Sequence, residues 1–94
     1  YALDFVDPTL KLVLPTCAQR GIRIVSNAGG INPVACAKAI EELISRLGLS
    51  MRVAVVTGDD LSGRVDELRS MNVREMSTGQ PLPSTLMSMN AYLG

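Results

Sequence analysis

Two short apolar runs, each followed by a polar turn and then a helix, constrain the fold of this chain more than any other feature. Residues 22–26 read IRIVS and enter the turn NAGG, and residues 51–56 read MRVAVV and enter the turn TGDD. Runs of this kind indicate strands, and a nearly continuous apolar run is typical of a strand buried in a parallel sheet. Their first residues lie about thirty positions apart with one helix between the runs, which fits a right-handed βαβ crossover. The sequence therefore predicts an α/β fold, a βαβ-containing fragment of a Rossmann-like parallel sheet with flanking helices.

Apolar residues at helical spacing predict three helices. The first is expected to begin with Asp7 as its cap and to end at Gly21, with Pro15 causing a kink or a division into two short helices. The second is expected to begin at Asn32, which precedes a proline, and to end at Gly48. The third follows the turn after the second apolar run.

Length and residue order predict one incomplete domain. Residues 1–94 are interpreted as a single α/β fragment of a larger amino-terminal domain, with an irregular loop and a truncated apolar tail over residues 77–94. A chain of this size buries only about two thirds of its unfolded surface. We therefore expect the remainder of the same chain to act as its partner, and marginal stability or self-association, which includes a homo-oligomer, when it is alone.

Charge and composition exclude several classes of protein. Nine basic and nine acidic residues cancel and aromatic residues make up 3%, so no footprint for nucleic acid is present. Cys17 and Cys36 lack CxxC spacing and the chain has no histidine, which predicts two buried thiols rather than a metal site. No apolar run reaches membrane-spanning length and no signal peptide opens the chain. The sequence predicts a cytoplasmic protein that needs no membrane, and it identifies no cofactor.

The turn after the first apolar run is a candidate binding site. Residues 26–33 read SNAGGINP and lie between the end of a predicted strand and the start of a helix, where α/β proteins bind anionic groups. Asn27, Gly29, Gly30 and Asn32 are the candidates there, since glycine lets a ligand approach the backbone. The spacing matches neither GxGxxG nor the phosphate loop, and a tight strand-to-helix connection is the alternative.

The turn after the second run is acidic. Gly58, Asp59 and Asp60 would lie at the same rim of a parallel sheet as Asn27, and carboxylates there bind a cation or a hydroxyl or act as a general base. Asp59 and Asp60 are therefore the candidate catalytic residues. In the alternative interpretation Asp60 caps the following helix and Asp59 is solvated or bonded to the turn.

Three segments together resemble the acyclic terpene utilisation family. They are residues 26–33 (SNAGGINP), 53–60 (VAVVTGDD) and 90–94 (NAYLG), and the similarity in order and spacing covers nearly the whole chain. The resemblance implies the amino-terminal portion of a longer protein in bacterial catabolism of acyclic terpenes such as citronellol and geraniol, through acyl-CoA intermediates. It adds Asn90 and Tyr92 to the ligand-binding candidates and assigns no catalytic role.

The leading hypothesis is part of a metabolic protein that binds an anionic or acyl-CoA-derived small molecule at the carboxyl edge of the sheet. Asn27 and the amides near Gly29 would bind the anion, and one aspartate of the acidic turn would handle a proton, a cation or a hydroxyl. Whether the ligand is converted is left open. The alternatives are a piece of a nucleotide-binding oxidoreductase and a non-catalytic flavodoxin-like binding domain.

Overall fold

The computed structural model describes residues 1–92 and contains helices, but no β-strand, within that range. Two residues of the expected tail, Leu93 and Gly94, lie outside the described residues. The chain divides into two compact units, Tyr1–Val56 and Thr57–Gly94. The regular elements are a π-helical segment (Phe5–Leu10), α1 (Lys11–Arg20), α2 (Pro33–Arg46), a 3₁₀ turn (Ser62–Arg64) and α3 (Val65–Ser70).

The predicted α/β fold, with its parallel Rossmann-like sheet, is therefore wrong. Residues 22–26 and 51–56 have no regular secondary structure, and the side chains of Val25 and Val56 are 97% and 91% exposed. A strand exists only when its backbone pairs with another segment, because β-propensity reflects the fit of side chains to a pleated, half-buried surface. Neither run pairs with the other in the described part of the chain, where the β-bridges are isolated ones elsewhere.

The first helical region continues through its interior proline. Asp7 has non-helical dihedral angles inside the π-helical segment, and its carboxylate accepts from Lys11 Nζ at 3.4 Å instead of capping a backbone amide. A single α1 helix then includes Pro15, so the division into two short helices does not occur. Gly21 ends α1 with a φ of 65°, as predicted, because glycine tolerates the left-handed conformation.

Helix α2 confirms the prediction for the second helix. The Asn32 side chain accepts from the Ala35 amide at 3.1 Å, and Gly48 follows the last turn with a φ of 63°. Leu43 and Ile44 are buried on one face of the helix. The charged side chains on the other face are exposed to solvent, as the helical spacing predicts: Lys38, Glu41, Glu42 and Arg46.

The apolar core of the described residues belongs to the first unit. Its buried members are Val6, Leu10, Leu14, Cys17, Cys36, Leu43 and Ile44. Both cysteines are buried free thiols, which confirms their predicted role as small apolar side chains. Residues 57–92 of the second unit contribute no buried side chain. None of the described helices is both long and apolar enough to cross a bilayer.

Candidate functional site

The turn at residues 26–33 is built by hydrogen bonds within itself. The Gly30 amide donates to Asn27 O at 3.1 Å, and the Asn32 amide donates to Gly29 O at 3.0 Å. The Asn32 side chain is occupied by its cap on α2. Backbone amides that the sequence assigned to an anionic ligand are thus partly used inside the turn.

Close packing accounts for one glycine of this turn. A Cβ atom on Gly29 would lie 2.8 Å from both Cα and Cβ of Pro33, the first residue of α2. Real side chains do not approach backbone atoms that closely, so only glycine fits there. This contact favours the alternative of a tight connection for Gly29. Gly30 has a φ of 51°, which also favours glycine.

Asp59 and Asn90 form a side-chain pair that joins two distant segments of the second unit. Asn90 Nδ2 donates to Asp59 Oδ2 at 3.1 Å, although 31 residues separate them. An isolated antiparallel bridge at Asp60 and Asn90 accompanies the pair. The Ala91 amide donates to Asp59 O at 2.8 Å, so backbone and side chain of the same aspartate are both held. The structure therefore brings together two of the three segments that carried the family resemblance.

Asp60 has a different local role from Asp59. Its Oδ1 accepts from the Ser62 amide at 2.9 Å, at the start of the 3₁₀ turn that leads into α3. The Ser62 hydroxyl, and then the Ser62 amide, lower the pKa of the exposed Asp60 carboxyl below its ordinary value. The bond closes a local Asx turn and is not the helix cap of the alternative interpretation, because neither the 3₁₀ turn nor α3 has a side-chain cap.

Arg69 holds a loop that the sequence treated as irregular. Its Nη1 donates to Leu82 O at 3.5 Å, and its Nη2 donates to Ser84 O at 3.0 Å and also to Pro83 O. No sequence signal indicates that Arg69 contacts residues 13 to 15 positions away.

Glu75 and Arg74 organise the preceding turn. The Glu75 carboxylate accepts from the amides of Ser77, at 2.9 Å, and Thr78. Arg74 Nη1 donates to Gly79 O at 3.1 Å. The Thr78 hydroxyl is the largest cause of a lowered Glu75 pKa, followed by the Ser77 and Thr78 amides. Polar contacts therefore supply the order of this segment.

The remaining site candidates fall in separate places. Asn27, together with the turn around it, belongs to the first unit, whereas Gly58 and Tyr92 belong to the second. Gly58 has a φ of 122°, a conformation that requires glycine, and Tyr92 is 85% exposed. Within residues 1–92 no three side chains of the metal-binding types are grouped.

An open cleft in the first unit contains none of the predicted site residues. Its volume is about 490 Å³, and it lies beside the carboxyl-terminal half of α2. Its lining residues are Glu41, Ile44, Ser45, Leu49, Met51, Arg52 and Val53.

Carboxylates with lowered pKa values predict acid sensitivity of the second unit. Arg64 lies 2.6 Å from Glu67 and lowers the pKa of that carboxyl, as Ser62 does for Asp60 and Thr78 for Glu75. A folded-state pKa below the unfolded value means that the stabilisation is present at neutral pH and is lost as the pH falls through the folded pKa. We expect the second unit to loosen below about pH 4, where carboxyls ordinarily titrate.

An NMR titration of the 94-residue chain checks this expectation. The carboxyl carbons of the three acidic residues should titrate below the same carboxyls in short unfolded peptides. Midpoints equal to or above the peptide values would contradict the hydrogen-bonded arrangement.

Comparisons with known proteins identify one family. The family model described as "Acyclic terpene utilisation family protein AtuA" matches residues 1–94. No curated protein and no solved structure matches the chain.

Proposed function

This chain belongs to the acyclic terpene utilisation family, and on that premise we propose that it forms a ligand-binding part of a protein of acyclic terpene catabolism. The proposed ligand is an anionic or acyl-CoA-derived small molecule. The observation that supports the proposal is the hydrogen bond of 3.1 Å between Asn90 Nδ2 and Asp59 Oδ2.

The chemistry of the pair supports contact with a donor group of the ligand. An ionised carboxylate has about four lone-pair sites, and Asn90 uses one site on Asp59. The remaining sites accept a hydroxyl or an N–H group, which coenzyme A thioesters and acyclic terpene alcohols supply. Because Asn90 holds one carboxylate oxygen, the Asp59 side chain is already oriented before a ligand arrives, and less entropy is lost on binding.

Asp59 is a better candidate for this contact than Asp60. The Asp60 carboxylate already accepts from the Ser62 amide at the start of the 3₁₀ turn. Removing it from that bond would leave the Ser62 amide without this acceptor. Asp59 accepts a side-chain donor from a distant segment, as expected of a positioned functional group.

The first unit contains a second candidate contact, for an anionic group, which is proposed separately from the contact at Asp59. Asn27 lies in the turn ahead of α2, whose amino-terminal end carries a positive partial charge. The Asn27 carbonyl accepts from Gly30, and its side-chain amide has no partner within residues 1–92, which leaves it as a donor for an anion.

Growth on an acyclic terpene tests the proposal. The gene that encodes the full-length protein is deleted in its host, and growth is measured on an acyclic terpene alcohol and on acetate. We expect the deletion to abolish growth on the terpene alcohol alone, and the wild-type gene to restore it. Normal growth of the deletion strain on the terpene alcohol would overturn the proposed function.

A further inference from the structure

We propose that Arg69 is a positioning residue for the Asp59–Asn90 pair, because its guanidinium fixes the loop that brings Asn90 to Asp59. Its functional meaning rests on the proposed function of Asp59. Among the described residues Arg69 forms no hydrogen bond with either member of the pair, and its three acceptors are carbonyl oxygens of Leu82, Pro83 and Ser84.

The guanidinium suits this task and an ammonium does not. Arginine presents five N–H donors in a rigid planar fork, so one side chain can bind consecutive carbonyls in a fixed geometry. The Arg69 side chain is partly buried, and within residues 1–92 it forms no ion pair with an acidic residue. Its donors are directed at the loop backbone.

The loop that Arg69 holds lies close in sequence to Asn90, and α3 links Arg69 to Asp59. Asp59 precedes the 3₁₀ turn and α3, and Arg69 lies near the end of α3. The loop that Arg69 holds ends at Ser84, six positions before Asn90. The Leu61 amide donates to Met89 O at 2.7 Å, directly beside the pair. Residues 84–89 are thus held at both ends, at Ser84 by Arg69 and at Met89 by the Leu61 amide, and this reduces the number of conformations that Asn90 can adopt.

If the hydrogen bonds from Arg69 to the loop are lost, the second unit has no buried apolar core among its described residues to hold the loop in place. None of the described residues of the second unit is fully buried, and its apolar side chains are at most partly buried, so hydrogen bonds contribute much of the order of its segments. A local opening of the loop is therefore expected to extend to the isolated antiparallel bridge between Asp60 and Asn90.

Hydrogen exchange measured by mass spectrometry on the full-length protein tests the inference. In Arg69→Gln, peptides that report the Leu61 and Ala91 amides should exchange about tenfold faster or more. Arg69→Lys, which keeps the charge but lacks the fork, should lie between this variant and wild type. Arg64→Gln is the matched control, since Arg64 pairs with Glu67 and not with the loop, and it should speed exchange at these amides far less than Arg69→Gln does.

Three outcomes would overturn the inference. They are unchanged exchange at both reporter amides in Arg69→Gln, an equal increase in Arg64→Gln, and an equal increase at the Met71 amide, which donates to Glu67 O at 3.0 Å and reports opening of α3 itself. Exchange needs no ligand, so the result is separate from the proposed function. If Asp59 proves dispensable while Arg69→Gln opens the Asn90 segment, only the proposed function fails.

Discussion

Asp59→Asn is expected to slow consumption of an acyclic terpene alcohol by the complemented deletion strain by about tenfold to a thousandfold. The substitution keeps the size of the side chain and removes the carboxylate that we propose meets the ligand. The free energy of unfolding should change by no more than about 1 kcal/mol, because one hydrogen bond to a partly exposed side chain is weakened. Consumption rates are compared at equal protein abundance.

Two variants separate ligand contact from local structure. Asp60→Asn should be milder, since the amide oxygen of asparagine can accept the same bond from the Ser62 amide. The double variant with Asp59→Asn and Asn90→Asp exchanges the two side chains and retains an amide-to-carboxylate hydrogen bond, but it moves the charge to position 90. It should remain impaired. Full activity of either the single or the double variant would show that the carboxylate at position 59 serves the turn alone.

Leu43→Ala is expected to lower the free energy of unfolding of the first unit by about 2–5 kcal/mol. Leu43 is 2% exposed and belongs to the cluster that joins α2 to the segment before α1. Truncating it removes buried methyl groups and leaves a cavity. Because small proteins have narrow stability margins, the helical circular dichroism signal should fall and the urea midpoint should shift to lower concentration.

Conservative and exposed variants serve as controls for this core substitution. Leu43→Met conserves volume and should cost less than about 1.5 kcal/mol. Leu12→Ala alters an α1 side chain that is 74% exposed and should stay within about 0.5 kcal/mol of wild type. An effect of Leu43→Ala as small as that of Leu12→Ala would show that the α2 core is assigned incorrectly.

Features set by adjacent residues could be predicted from the sequence. The cap at Asn32 and the helix ends at Gly21 and Gly48 depend on interactions within a few residues, and the structure has all three. Whether the two apolar runs form strands could not be predicted in this way. Their apolar runs specify a preference for buried extended backbone, but a sheet also needs a pairing partner, and no local pattern states which segment that is.

For the candidate site, too, the sequence indicated individual residues but not their contacts with distant segments. The sequence indicated Asp59 from its place after an apolar run, and the family resemblance indicated Asn90, but nothing in either pattern predicted that the two side chains bond to each other. Arg69 was missed because its acceptors are backbone carbonyls far along the chain, which carry no residue-type signal. Asn27 and Asp59 were expected at one edge of a sheet, and that expectation is wrong because the described residues form no strand.

The lack of buried side chains in residues 57–92 has a consequence for how this part of the chain tolerates sequence drift. Where α2 packs, substitutions are limited by volume, and a change of one methyl group is felt. Around Asp59, Arg69 and Glu75 the limiting quantity is instead the supply of donors and acceptors at fixed positions. Side-chain volume is less restricted there, whereas exchanging a guanidinium for an ammonium, or a carboxylate for a methyl group, weakens the hydrogen bonds that order these segments.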